Sequence, residues 1–435
     1  MSQFSASSQS LYEEVDSVWR KVSLRLMPLL IVCYLFAHLD RINIGFAKSQ
    51  MSADLAFSET VYGFGAGLLF VSYALFSVPS NLALVRFGPR RWIAFLMCAW
   101  GAMSTAMFLV TTPQEFYFLR FCLGAAEAGF FPGILYYINC CFPKHYRGRI
   151  IALFALAVPI AGILGGPLSG GIIVGFHHVL GLHGWQWMFL FEGVPVVLLG
   201  LVVWRFLPDT LTSVKWLSDE EKAYAVRAVS QPQEGPKAST FREIISNKNV
   251  WLLVCIYFAV RLSVNTTAFW LPTFIHGTGI GNDGVVGLLS AVPYIFGAAF
   301  MVYMGRSSDL NDERRWHLFI SLVMAAIGLV VAGAFPANTW VVMIALIFLG
   351  MGSSAALSMF WQLPPTFIAP AVLAGGLGLI SSFGSIASFL APSMIGWVRD
   401  TTQSSSLALY VLGALIALGA LLVLATPEDK DGVHN

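Results

Sequence analysis

A dozen apolar stretches, each about twenty residues long, run through this chain of 435 residues, and they decide what it can fold into. Crossing a hydrocarbon core of ~30 Å takes roughly twenty apolar residues of α-helix. A barrel is excluded, because barrel strands show ~10-residue alternation and not long continuous apolar runs. Only 11% of the residues are charged, against roughly a quarter in soluble domains, so the chain lacks the polar surface to face water all round. The reading is an all-α integral membrane protein.

Hydropathy predicts spans at 24–46, 60–84, 92–111, 114–142, 150–176 and 185–207, then at 250–275, 284–305, 316–335, 339–367, 372–398 and 406–425. The first twenty residues are polar and mixed in charge, unlike a cleavable signal peptide. The expected organisation is an N-terminal segment 1–23, a six-helix bundle 24–207, a linker 208–248, a second six-helix bundle 249–426 and a tail 427–435. The linker opens with Pro208 and Asp209 and carries Ser218-Asp219-Glu220-Glu221, a capping box that predicts a short surface helix.

Lysine and arginine placement sets the topology. With the N-terminus inside, 20 of the 25 basic residues fall on inner segments and only Lys48 and Arg399 on outer loops. Both termini and the linker are therefore expected in the cytoplasm. The remaining three, Arg41, Arg120 and Arg261, lie inside spans.

Other chemistry is sparse. Cys33, Cys98, Cys122, Cys140, Cys141 and Cys255 lack ligand spacing and read as small buried apolar residues. His177, His178 and His183 read as an outer loop cluster and not as a metal site. A net charge of +2 gives no reason to invoke nucleic acid. No nucleotide loop, HExxH or GxSxG occurs, so neither an enzyme nor a cofactor is expected.

The halves echo each other. Asn81-Leu-Ala-Leu-Val-Arg86-Phe-Gly88-Pro-Arg90-Arg91 follows the second span, and Gly305-Arg-Ser-Ser-Asp309-Leu-Asn-Asp-Glu-Arg314-Arg315 follows the eighth. Gly165-Gly166-Pro167 and Ala391-Pro392-Ser393 mark the fifth and eleventh spans, where small residues let helices approach closely. Two such halves suggest pseudo-symmetric bundles around a site near the midplane.

The first loop resembles the signature loop of the major facilitator superfamily at Arg86, Gly88, Arg90 and Arg91, with Val85 at its acidic position. The second keeps Asp309, Arg314 and Arg315, and both loops are expected to take part in gating. Asp40-Arg41-Ile-Asn-Ile-Gly-Phe-Ala47, Leu119-Arg120 to Glu127-Ala-Gly129-Phe-Phe-Pro132-Gly133, and Gly184-Trp185 to Glu192-Gly193-Val-Pro195 are similar to the anion:cation symporter branch. That branch implies permeases for sugar acids, tartrate, phthalate or hydroxyphenylacetate, usually proton-coupled and usually monomeric. It also implies a bacterial inner membrane.

Ionisable side chains inside spans are expensive and functional by default. Arg41 and Arg120 are candidates for the substrate carboxylate, since guanidinium recognises it with two parallel bonds. Asp40 and Glu127 are the proton-coupling candidates. Depth along the first and fourth helices places Asp40 level with Arg120, which suggests a pair that protonation would open. The alternative is a permanent brace. Arg261 either faces the cavity and suits a dicarboxylate or serves structure alone. Tyr73, Asn265, Ser358, Trp361, Gln362 and Ser381 are candidate lining residues, and His38 a candidate modulator of proton binding. Gly124, Gly129 and Gly133 suit either a gate or close packing.

The expectation is import of a small organic anion by proton symport with alternating access. The alternatives are an exporter or antiporter of an amphipathic compound, sodium coupling, or a membrane sensor that no longer transports.

Overall fold

The computed structural model describes residues 2–229, 241–368 and 370–426. Among these it is wholly helical: α1 (Ser2–Leu55), α2 (Glu59–Phe87), α3 (Pro89–Ala106), α4 (Pro113–Glu127), α5 (Phe130–Cys141), α6 (Lys144–Ala155), α7 (Ala157–Gly175), α8 (Gly184–Phe206), α9 (Asp219–Val229), α10 (Phe241–Ser246), α11 (Lys248–His276), α12 (Asp283–Asn311), α13 (Arg315–Ala334), α14 (Thr339–Phe360), α15 (Pro364–Phe367), α16 (Pro370–Thr402) and α17 (Ser406–Val423). Twelve helical segments are long and apolar enough to cross a membrane. The expected tail 427–435 and the centre of the linker, 230–240, lie outside the described residues.

Prolines divide the spans. Pro132 has no N–H for the carbonyl of Ala128, and the fourth span breaks there into α4 and α5. Pro159 has the same effect at Ala155, which ends α6. The tenth span stops at Phe360, short of the expected 367, where Pro364 and Pro365 follow. The first span is longer than expected, its helix running unbroken over Val18–Leu55. Its early part is not a free segment: Trp19 is 1% exposed and packs on Phe142, Tyr146 and Tyr224. Lys21 meets Glu221 at 2.5 Å, and the capping box is formed, with Ser218 N–H on Glu221 and Glu221 N–H on Ser218 Oγ. The linker helix α9 is thus tied to the first bundle.

The halves repeat one another in packing. α2 with α4, α3 with α8 and α1 with α7 in the first bundle correspond to α12 with α14, α13 with α17 and α11 with α16 in the second. The bundles meet along α2–α16, α7–α12 and α1–α11. Glycines bring these pairs together: a Cβ on Gly166 would sit 2.3 Å from the Gly287 carbonyl oxygen, and one on Gly63 2.4 Å from that of Pro392. Gly45 stands against Ala268 and Phe269 in the third pair. All of these crossings lie in the half of the molecule away from the linker. The bundles are therefore sealed at one end and diverge toward the end that carries the linker.

Candidate functional site

Neighbouring residues on a helix point about 100° apart, and this separates Asp40 from Arg41. Arg41 turns toward the space between the bundles. Its Nε donates to Glu127 Oε2 at 2.6 Å, its guanidinium lies 5.1 Å from the centre of the Tyr73 ring, and it is 21% exposed where Glu127 is 1% exposed. The second oxygen of Glu127 has no hydrogen-bond partner. Asp40 turns into its own bundle instead. It accepts from Ser104 Oγ at 2.7 Å, Trp100 Nε1 at 3.0 Å and Asn43 Nδ2 at 3.5 Å.

The pair expected between Asp40 and Arg120 is not formed. Arg120 is buried and donates to the carbonyls of Gly65 and Ala66 on α2, both at 3.3 Å. Its guanidinium stands behind the cavity wall and is not presented to a ligand in this conformation. Equal depth along two helices says nothing about which side of each helix a residue occupies.

From the opposite bundle, Arg261 faces the interface. Its Nε donates to Ser388 Oγ at 3.0 Å, and its guanidinium lies 5.8 Å from the ring of Phe70, a residue of the first bundle. Asn265 donates to Ser388 Oγ and to the Arg261 carbonyl, so it orients Arg261 through the same serine. Ser381 is exposed and lies two turns from Ser388 on the same stripe of α16. Trp361 caps the end of α14 at 39% exposure and meets Tyr257 edge-on at 4.9 Å. Ser358 and Gln362 flank this end, half-buried. Tyr34 stacks on Phe154 at 4.3 Å and touches His38 at 4.9 Å, and His38 Nδ1 has no partner. Phe70 and Tyr73, the rings beside Arg261 and Arg41, stand one turn apart on α2.

Two guanidinium groups thus look into one space from different bundles, with one carboxylate pairing the first. Gly124, Gly129 and Gly133 let the fourth span press on α2, since a Cβ on Gly124 would lie 2.1 Å from the Leu69 carbonyl oxygen. Close packing is what these positions require, and it places Glu127 beside α1.

A family model of the Major Facilitator Superfamily matches residues 30–392 and 279–435. The chain belongs to the Major Facilitator Superfamily. A relative from Pseudomonas putida named for metabolite transport, NicT, is 42% identical, covering 97% of this chain and 98% of the relative. One from Agrobacterium vitis named as a tartrate transporter is 41% identical over 95% and 96%. A quinolone resistance transporter of Acinetobacter baumannii is 38% identical over 93% and 94%. Among solved structures, the xylose transporter XylE from E. coli shares the fold with a TM-score of 0.74 at 16% identity, covering 94% of this chain and 99% of that one.

In this facilitator the signature loop finds its acid elsewhere. Asp209, after α8, contacts Arg90 Nε at 3.2 Å and accepts from the Arg90 N–H, while Gly88 takes φ +85° beside it. Arg86 lies over Phe87, and Arg91 is exposed. In the second loop Arg315 donates to the Leu424 carbonyl. Glu313 caps α13 through the Trp316 N–H at 2.6 Å, whereas Asp309 is exposed and Arg314 half-buried.

Two groups of functional candidates escaped the sequence reading. Glu192, 1% exposed, accepts from Ser169 Oγ at 2.7 Å and leaves its other oxygen unpartnered. The rule that singles out Asp40 and Glu127, that ionisable side chains inside spans are functional by default, applies equally to Glu192 within the sixth span. The second group clasps the sealed end. Asp400 of α16 accepts from the Glu59 and Thr60 N–H groups of α2 at 3.0 and 2.7 Å. Glu59 meets Lys48 at 2.6 Å and Arg399 at 3.5 Å, and both cations stand over Trp270, at 4.5 and 5.7 Å. Tyr62 donates to the Phe269 carbonyl at 2.8 Å, and Gln50 to Asp283 at 3.0 Å.

Proposed function

We propose that this membrane transporter imports a small organic carboxylate by proton symport, working as a monomer in a bacterial inner membrane. The observation that carries the reading is the Arg41–Glu127 ion pair facing Arg261 across the bundle interface. An anion that approaches Arg41 competes with Glu127 for the same guanidinium. Protonation of Glu127 removes the competitor, so proton and anion bind together, and each raises the affinity for the other. With Glu127 neutral, Arg41 and Arg261 form a doubly positive site that suits a carboxylate or dicarboxylate. Tyr73, Trp361, Asn265, Ser358, Gln362 and Ser381 supply rings and hydrogen bonds around it, and the resemblance to a protein named as a tartrate transporter agrees with this class.

The basic residues counted on the linker side support placing that end, with both termini, in the cytoplasm. The conformation described here is then open to the inside. Arg120 and Asp40 act from behind the site, Arg120 by holding α2 against α4 and Asp40 by fixing α1 on α3.

A second reading, efflux of a larger aromatic compound, draws on the stacked rings of Tyr34, Phe131 and Phe154 and on the relative named for quinolone resistance. Uptake into proteoliposomes under an inward proton gradient separates the two. The panel contains galactonate, glucarate, tartrate, phthalate and hydroxyphenylacetate. Gradient-driven accumulation of any of these establishes symport of an anion. Accumulation driven only by a reversed gradient overturns import, and accumulation driven by sodium at constant pH overturns proton coupling.

A further inference from the structure

We propose that the connection between α7 and α8 binds one divalent d-block cation through His177, His178 and His183. One ligand nitrogen from each of the three side chains lies within 4.8 Å of the others. The ring centres are 3.9 Å apart for His177 and His178, 6.0 Å for His177 and His183, and 5.8 Å for His178 and His183. A tetrahedral zinc–imidazole site, with bonds of about 2.0–2.1 Å, needs nitrogens ~3.3 Å apart. Rotation of exposed side chains closes that gap, and His177 and His178 are both exposed.

The backbone brings the three together by unusual means. His178 takes φ +63° and Leu180 φ +54°, with Gly181 at +77°, so the chain turns through left-handed positions that side chains seldom adopt. Without this turn the end of α7 would carry His177 and His178 away from the start of α8. Behind the cluster stands a carboxylate. Asp54, from the end of α1, lies 2.9 Å from His183 Nδ1 and accepts from Trp185 Nε1 at 2.7 Å. The contact lacks hydrogen-bond alignment as it stands, and a turn of the ring that aligns Nδ1 with Asp54 would leave Nε2 for a metal. His177 Nδ1 takes a long 3.3 Å bond from the Gly184 N–H, which the ring gives up if it ligates through that nitrogen.

Three neutral imidazoles with a fourth position open to water suit zinc, nickel or copper(II), and not magnesium or calcium, which favour oxygen ligands. All ligands belong to the first bundle. The ion therefore fastens the ends of α7 and α8 together, with α1 touched only through Asp54, and does not bridge the two bundles.

The test is titration of tag-free, chelator-stripped full-length protein in nanodiscs with zinc chloride alone, by calorimetry and by equilibrium dialysis. The expected result is one zinc per chain with micromolar or tighter affinity at pH 7.5. His178→Ala and His183→Ala should each weaken binding at least tenfold, and Asp54→Asn about tenfold as an orienting residue. Magnesium should not compete. X-ray absorption should show three imidazole nitrogens. Equal zinc binding in the triple His177→Ala/His178→Ala/His183→Ala variant overturns the proposal, as does the absence of binding below about 100 μM. Melting temperatures measured in chelator confirm that each variant is folded.

Discussion

The clasp at the sealed end predicts a measurable bias toward the conformation described here. Asp400 reaches across from α16 to accept the Glu59 and Thr60 N–H groups, at 3.0 and 2.7 Å. These are orphan donors of the first turn of α2, and no residue of that helix can satisfy them. Hydrogen bonds to a charged acceptor contribute about 1.5–3 kcal/mol each. The site is only part-buried, so water recovers much of this when the bond is lost. A net of ~2 kcal/mol is reasonable for removing both, or about 30-fold in a two-state equilibrium. Asp400→Ala should therefore raise the ratio of outward-open to inward-open molecules about 30-fold. Asp400→Asn keeps one neutral acceptor and should give a smaller rise, near fivefold by the same reckoning. Arg399→Ala removes only a rim ion pair of 3.5 Å to Glu59, worth less than ~1 kcal/mol, and serves as the control. The ratio is read by electron–electron double resonance between spin labels at Leu180 and Trp340, which are 85% and 81% exposed, in a cysteine-free background. An unchanged distance distribution in Asp400→Ala would refute the argument, because it would mean that water replaces the carboxylate at no loss.

The site and the linker give further tests. Glu127→Gln cannot hold Arg41 as an ion pair, so it should keep anion exchange but lose accumulation driven by a pH gradient; concentrative uptake in this variant would exclude Glu127 as the coupling group. Arg41→Ala should lower anion affinity at least ~30-fold, in line with the 2–5 kcal/mol lost on truncating a buried charged partner, as measured by calorimetry. Arg120→Ala should act chiefly on stability, lowering the melting temperature by removing the donor to Gly65 and Ala66, and an intact melting temperature with lost binding would restore it to the substrate site. In the linker, the hydrogen bond from Lys21 and then that from the Ser218 N–H hold the Glu221 carboxyl below its ordinary value. A depressed folded pKa contributes stability above the unfolded value of about 4.3, and the contribution is lost as pH falls through the folded one. Hydrogen exchange of α9 should accordingly rise below about pH 4 in the natural protein, whereas Glu221→Gln should exchange faster already at pH 7.

Most of the architecture was legible because the bilayer imposes it. Twenty-residue apolar runs can only span, and glycine–proline clusters such as Gly165-Gly166-Pro167 marked the surfaces where α7 meets α12. The errors share one cause. Residue depth follows from rise per residue, but azimuth depends on what each helix packs against. Asp40 went to Trp100 and Ser104, and Arg120 to the carbonyls of α2, because those partners stand on the faces where the two side chains emerge. For Arg261 the sequence left two orientations open, and Ser388 and Asn265 decide between them. The clasp was invisible for a different reason. Lys48, Glu59, Arg399 and Asp400 each look like ordinary loop-end charges, and only the juxtaposition of α2 with α16 makes them a group.

In the proposed mechanism, the position of the site relative to the seal links binding to movement. The α1–α11 crossing is tight at Gly45, whose Cβ would lie 3.2 Å from the carbonyl oxygens of Ala268 and Phe269. Arg41 is four residues from that crossing and Arg261 seven from Ala268, which at 1.5 Å per residue is about 6 and 10 Å toward the open end. Both guanidinium groups thus sit just beyond a fulcrum, on separate bundles. A ligand with two anionic groups that engages both draws α1 and α11 together on the open side, and a lever about Gly45 turns that closure into strain on the clasp. While Glu127 is ionised it satisfies Arg41 from within its own bundle, and nothing pulls across the interface. Once Glu127 is protonated, the charge that Arg41 lacks can come only from the ligand, and the attraction then acts between bundles. On the proposed coupling, the proton would set whether binding energy is confined to one bundle or is available to move it against the other.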